Sequence, residues 1–190
     1  MIDNVNKIKS SNIVLMGIKH CGKSTLGKLL SEEKGWQFYD IDYLTEEQYN
    51  ANHEKSFREI YEKEGKTIFQ NLEAISTCKL SAKIRSSGHA VIALGGGTIE
   101  NHIAMHCISS YALLVYLEEK PELLFERIFR NGLPLFLLDG DPYEEFLRIY
   151  EKRSKIYQEY ADLIVNINGK NIQEALEELK GQLKESVYGW

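Results

Sequence analysis

The chain has 190 residues, 43% of them hydrophobic and 27% charged, with a formal net charge of −5. That size and balance suit one soluble domain, residues 1–190. The acidic balance excludes broad binding to a nucleic-acid backbone, which calls for a basic surface, and the lack of any run near ~18 apolar residues excludes a membrane-spanning helix.

The leader MIDNVNKIKSS is polar and lacks the apolar core of a signal peptide. Cys21, Cys78 and Cys107 are odd in number and lack metal-type spacing, which fits a reducing compartment. A cytoplasmic monomer is the expectation.

Residues 12–16 (NIVLM) form a short apolar run suited to a strand buried on both faces. It feeds into Gly17-Ile-Lys-His20-Cys21-Gly22-Lys23-Ser24-Thr25, and a helical run to about residue 34 follows. Glycine, four residues, then Gly-Lys-Ser between a strand and a helix is the phosphate-binding loop pattern. Its backbone N–H groups and the helix N-terminus face phosphate oxygens. Lys23 reaches the β- and γ-phosphates, and the Ser24 hydroxyl serves Mg²⁺. Cys21 has two readings, a thiol with lowered pKa or a small residue that fits a tight loop.

Gly35 is the expected helix C-cap. Residues 36–39 form a second strand that delivers Asp40 and Asp42 to its C-terminal end, where ligands bind in open parallel sheets. On an extended chain the two carboxylates share a face. One supports Mg²⁺ through water and the other orients or deprotonates an acceptor hydroxyl. From this pair alone, a plain polar strand end is an equal reading. Three helical runs follow, at about 44–51, 56–63 and 67–86, with Gly65 between the last two. Residues 90–94 form a third strand leading into Gly95-Gly96-Gly97, where a ligand could approach the backbone. A short helix and turn over 99–110, a strand at 111–117 and a helix from Pro121 to about residue 130 come next. Residues 131–142 (NGLPLFLLDGDP) read equally as a mobile lid or a plain connection. A helix over 143–160, a strand over 163–167 and a terminal helix over 171–187 close the chain. Short apolar strands alternating with helices predict an α/β protein with a five-stranded parallel sheet.

Taken together, these motifs resemble the shikimate kinase family from about residue 12 to 183. They are the phosphate loop, FYDID with Asp40 and Asp42, LGGGT with Gly95 to Gly97, and KRSKIY with Arg153. The resemblance implies a three-layer P-loop fold with strand order 2-3-1-4-5, an acceptor-binding segment near 43–88 and a lid near 131–142. It implies ATP as co-substrate, Mg²⁺, and transfer of the γ-phosphoryl group to a hydroxyl, with shikimate as the default acceptor in aromatic amino acid biosynthesis. Gly17, His20, Cys21, Gly22, Lys23, Ser24, Thr25 and Arg127 would then bind ATP, with Arg127 over the adenine. Ser24 and Asp40 would serve the metal, and Lys23, Asp42 and Arg153 the transfer. Asp42, Gln70, Gly95 to Gly97, Leu133 and Arg153 would face the acceptor.

Three departures from the family pattern stand out. His20 replaces a glycine, and Gln70 and Leu133 stand where the family has arginines on the acceptor or the moving phosphoryl group. Losing two such charge-assisted contacts weakens carboxylate capture by roughly 10²–10⁴-fold, unless Arg58, Lys66 or Arg130 substitutes. A kinase of another small metabolite, or a nucleotide-binding relative without activity, are the alternative readings.

Overall fold

The computed structural model describes residues 12–49, 57–87, 89–134, 137 and 140–186. Its sheet has five parallel strands: β1 (Asn12–Met16), β2 (Gln37–Asp40), β3 (Ala90–Ala93), β4 (Leu113–Glu118) and β5 (Leu163–Asn166). They lie in the order β2-β3-β1-β4-β5, as the resemblance implied. β1 pairs with β3 on one side and β4 on the other, so Val14 sits opposite both Ile92 and Leu114. All five residues of β1 and all four of β3 are buried, which is why both read as unbroken apolar runs. The edge strand β5 is only partly covered and leaves Ile164 exposed.

Around the sheet run α1 (Lys23–Lys34), α2 (Ile41–Tyr49), α3 (Phe57–Ser87), α4 (His102–Ser109), α5 (Pro121–Arg130), α6 (Pro142–Tyr160) and α7 (Ile172–Ser186). α1 and α7 pack on each other, α2 packs on α3 and α3 on α4, and α6 lies against β4. Local chemistry sets the helix ends. α1 closes on Gly35 in the left-handed conformation (φ 66°). α6 starts on Asp141, whose side chain accepts from the backbone N–H groups of Tyr143 and Glu144. α3 is two helices joined at Gly65, with φ 80° and ψ 171°, where the sequence placed a break.

The strand-end expectation for the aspartates needs correcting. β2 ends at Asp40 and the chain turns directly into α2 at Ile41. Asp42 therefore lies in the first turn of a helix and does not share a strand face with Asp40. The reason is local: the Asp40 carboxylate accepts the backbone N–H of Asp42 at 3.0 Å and so caps the helix start. The segment proposed as a lid is anchored where it is described. Leu137 is buried in the core, and Leu133 is half-buried and packs against it. Residues 135, 136, 138 and 139 lie outside the described residues.

Cys78 and Cys107 form a disulfide that ties α3 to α4, so only Cys21 remains as a free, buried thiol. This departs from the reading of all three cysteines as reduced, and the pairing had no sequence signal, since the two cysteines lie 29 residues apart on different helices. Reduction is expected to lower stability by about 2–4 kcal/mol, because the released loop regains chain entropy when unfolded. Denaturant titration with and without a thiol reductant checks this; Cys78→Ser should reproduce the shift and be insensitive to the reductant.

Candidate active site

The phosphate loop joins β1 to α1. Gly17 cannot be replaced: it has φ 152°, and a Cβ there would lie 2.8 Å from both Cys21 Sγ and Leu117 O. Gly22 takes a left-handed conformation (φ 98°) just before the helix. His20 does so too (φ 67°), which is uncommon for a residue with a side chain. Burial, then the charges of Lys19, Lys23 and Arg127, hold the His20 imidazole below its ordinary pKa, so it is neutral at pH 7. Buried Lys23 donates from Nζ to Gly17 O at 2.9 Å and Ile18 O at 3.1 Å. Cys21 packs inside the loop with its thiol 3.9 Å from that ammonium. Ser24 and Thr25 are exposed at the helix start.

Ser24 Oγ donates to Asp40 Oδ2 at 2.6 Å. These are hard oxygen donors at the mouth of the phosphate loop. Mg²⁺ takes few protein oxygens and completes its shell with phosphates and water, so the pair fits that ion.

Asp42 differs from Asp40. Its Oδ1 is buried with no hydrogen-bond partner among the described residues. Burial, and then the Asp40 charge, push its pKa up to about 7 against the pull of Lys23 and Lys19. A Cβ on Gly95 would overlap that same oxygen, and one on Gly96 would press on Lys19 at 3.0 Å. The glycines thus let the phosphate loop and the Asp42 carboxylate close up on one another.

α6 supplies the opposite wall. Arg153 donates from Nη1 to Gly96 O at 3.2 Å, and Gly97 faces its guanidinium. One helical turn on, the Tyr157 hydroxyl lies 2.9 Å from Gly17 O and 2.8 Å from Gly96 O. Its single proton serves two carbonyls and ties the phosphate loop to the triple glycine. Tyr157 is fully buried and stacks on Tyr116.

Buried Glu73 on α3 accepts from Thr98 Oγ1 at 2.5 Å and Asn101 Nδ2 at 2.8 Å. Burial outweighs those bonds, so its pKa lies above the ordinary value. Gln70, one turn earlier, is half-buried, and its backbone carbonyl accepts from Asn101 Nδ2 at 2.7 Å. On the nucleotide side, Arg127 pairs with buried Glu119 at 2.8 Å and donates to His20 O at 3.1 Å. Glu119 also accepts the backbone N–H of Gly169, which brings the loop after β5 to the same place.

A family model described as shikimate kinase matches residues 19–184. The chain belongs to the shikimate kinase family. The shikimate kinase of Chlorobium phaeovibrioides is 35% identical over 93% of this chain and 89% of its own length. That of Caldanaerobacter subterraneus is 31% identical, with 88% and 93% covered. Among solved structures, the Aquifex aeolicus shikimate kinase is 30% identical with a TM-score of 0.70, covering 92% of this chain and 96% of that one. The fold also matches a shikimate kinase from Acinetobacter baumannii in complex with shikimate, with a TM-score of 0.80 at 24% identity and coverage of 94% and 95%.

Set against the shikimate kinase pattern, the phosphate loop, Asp40, Asp42, the three glycines and Arg153 gather at the C-terminal edge of the sheet. Leu133 and Gln70 bring no charge to it. Arg130 does not replace the absent cations, because it points to solvent and pairs with Glu126. Lys66 is exposed on α3, and the Arg58 side chain lies outside the described residues. The cation that does act on Asp42, besides Lys23, is Lys19, which sequence reading passed over. Also missed were Glu73, Glu119 and Tyr157. Tyr157 had a signal, since it stands four residues after Arg153 on one helix face. The buried glutamates had none, because burial of a carboxylate depends on partners distant in sequence.

Proposed function

We propose that the chain is an ATP-dependent kinase of a small-molecule hydroxyl, with shikimate as the first acceptor. Membership of the shikimate kinase family supports the reaction class. The observation that carries the reading at this site is Asp42, a half-buried residue whose Oδ1 is itself buried and unpartnered among the described residues, beside the phosphate loop and the Gly95 backbone.

In this reading the loop amides and Lys23 hold the β- and γ-phosphates and spread the charge that develops during transfer. Gly17, His20, Cys21, Gly22 and Thr25 complete that cradle. Ser24 and Asp40 would hold Mg²⁺, which would supply neutralisation of the phosphate charge. Arg127, fixed by Glu119 and His20 O, lies over the adenine. Asp42 accepts a hydrogen bond from the acceptor hydroxyl, orients it in line with the γ-phosphorus and takes its proton. Gly95, Gly96 and Gly97 admit the acceptor against the backbone, and Gln70, Leu133 and Arg153 border it. The family resemblance assigns the acceptor-binding segment to about 43–88 and the lid to about 131–142, the latter anchored by Leu137 in the core.

The neutral side chains of Gln70 and Leu133 favour a second reading, in which a related polyol or cyclic acid is the better acceptor. A coupled assay of ADP formation with shikimate, quinate and a set of sugars and polyols separates the two. Turnover highest with shikimate supports the first reading. Turnover highest with another acceptor replaces shikimate but keeps the kinase, and no acceptor-dependent turnover rejects both.

A further inference from the structure

The 3₁₀ turn Thr98–Glu100 follows the triple glycine directly, and its last residue meets Arg153. Glu100 Oε2 accepts from Arg153 Nη2 at 2.8 Å and Nε at 3.2 Å, which is a side-on grip on the guanidinium edge. With Gly96 O on Nη1, three of the five N–H groups of this arginine are taken from within the chain. Glu100 Oε1 takes Lys152 Nζ at 2.5 Å.

Glu100 is a charged partner. Burial works against ionisation, but the Lys152 bond and the Arg153 charge and bond overcome it and hold its pKa below the ordinary value. The pair is sheltered, with side-chain exposures of 22% for Arg153 and 15% for Glu100, so solvent screens it only in part. The backbone N–H of Glu100 is bonded to Gly97 O at 3.0 Å. The residue that carries the carboxylate is therefore held by the same glycine loop.

We infer that Glu100 sets the acceptor preference of this site: it occupies the Nε–Nη2 edge of Arg153 and neutralises its charge, so acidic acceptors bind weakly relative to uncharged ones of the same shape. The inference rests on the reading of Arg153 as an acceptor-bordering residue. Glu100 acts through Arg153 and is a positioning residue. Its influence is large here because Gln70 and Leu133 supply no second guanidinium. A carboxylate arriving at this arginine meets a charge already neutralised, and must either displace Glu100 or use the remaining N–H groups beside a like charge.

The test compares shikimate with its methyl ester, which keeps the ring hydroxyls and removes the charge. Calorimetric titration of each into wild type, Glu100→Gln and Glu100→Ala, all with Mg²⁺–ADP, reads binding without turnover. Glu100→Gln is expected to tighten shikimate about tenfold and to leave the ester within about twofold. Glu100→Ala should agree in direction. Weaker shikimate binding in the variants overturns the inference, because Glu100 would then be orienting Arg153 for the acid. Equal changes for acid and ester overturn it as well, since a merely structural role moves both. So does the absence of shikimate binding in wild type and both variants. Failure of the kinase reading appears elsewhere, as no ADP formed with any acceptor.

Discussion

Replacing Asp42 by Asn is expected to lower kcat about 10²–10⁴-fold, because the amide cannot take the acceptor proton. The same change is expected to stabilise the metal-free protein. Asp42 titrates at about 7 in the folded chain against 3.8 ordinarily, through burial first and the Asp40 charge second. Its folded pKa lies above its unfolded one, so the folded state binds more protons between those values. Stability therefore falls as pH rises from about 4 to about 7, and above that range the sheltered carboxylate is charged at full cost. Asp42→Asn should raise the melting temperature by roughly 3–8 °C at pH 8 and by much less at pH 5. Melting curves at both pH values, without Mg²⁺ or nucleotide, check this. A variant less stable than wild type at pH 8 contradicts the assigned environment of Asp42. This opposition of stability and activity is expected where a group is held in an unfavourable state for function.

The second large effect is at Lys23. Lys23→Met keeps the buried stem but removes the ammonium that serves the γ-phosphate. The loss should be roughly 10²–10³-fold in kcat, the range for removing one preorganised donor to developing charge. The ammonium also bonds Gly17 O and Ile18 O, so the loop loses two internal contacts. Weaker ADP binding by titration should accompany the kinetic defect. A normal kcat with only a raised KM for ATP would mean that Lys23 binds the ground state and the transition state equally.

The two halves of the site were not equally legible in the sequence. The phosphate loop was, because its chemistry is local: Gly17 to Thr25 are contiguous, and the flanking strand and helix carry their own periodicities. The strand order followed from the family resemblance and not from periodicity. The register of Asp42 was misjudged because the Asp40 side chain starts a helix one residue after the strand, and a residue that caps looks like any polar strand end. The acceptor side was the least legible. Its character depends on contacts that sequence spacing does not encode, such as Glu73 with Thr98 and Asn101, Tyr157 with two loop carbonyls, and Glu100 with Arg153. What the sequence did expose there was the pair of neutral side chains, Gln70 and Leu133. The structure adds that the retained arginine is itself engaged.

The central claim is that this site moves the γ-phosphoryl group of ATP to an acceptor hydroxyl under the control of Asp42. Mass spectrometry of shikimate after incubation with Mg²⁺ and ATP labelled with heavy oxygen in its γ-phosphate tests it most directly. The account predicts that shikimate gains the labelled phosphoryl group with the wild-type chain and not with Asp42→Asn. Label recovered only in ATP or inorganic phosphate, with shikimate and the other hydroxylated acceptors unmodified, would contradict it.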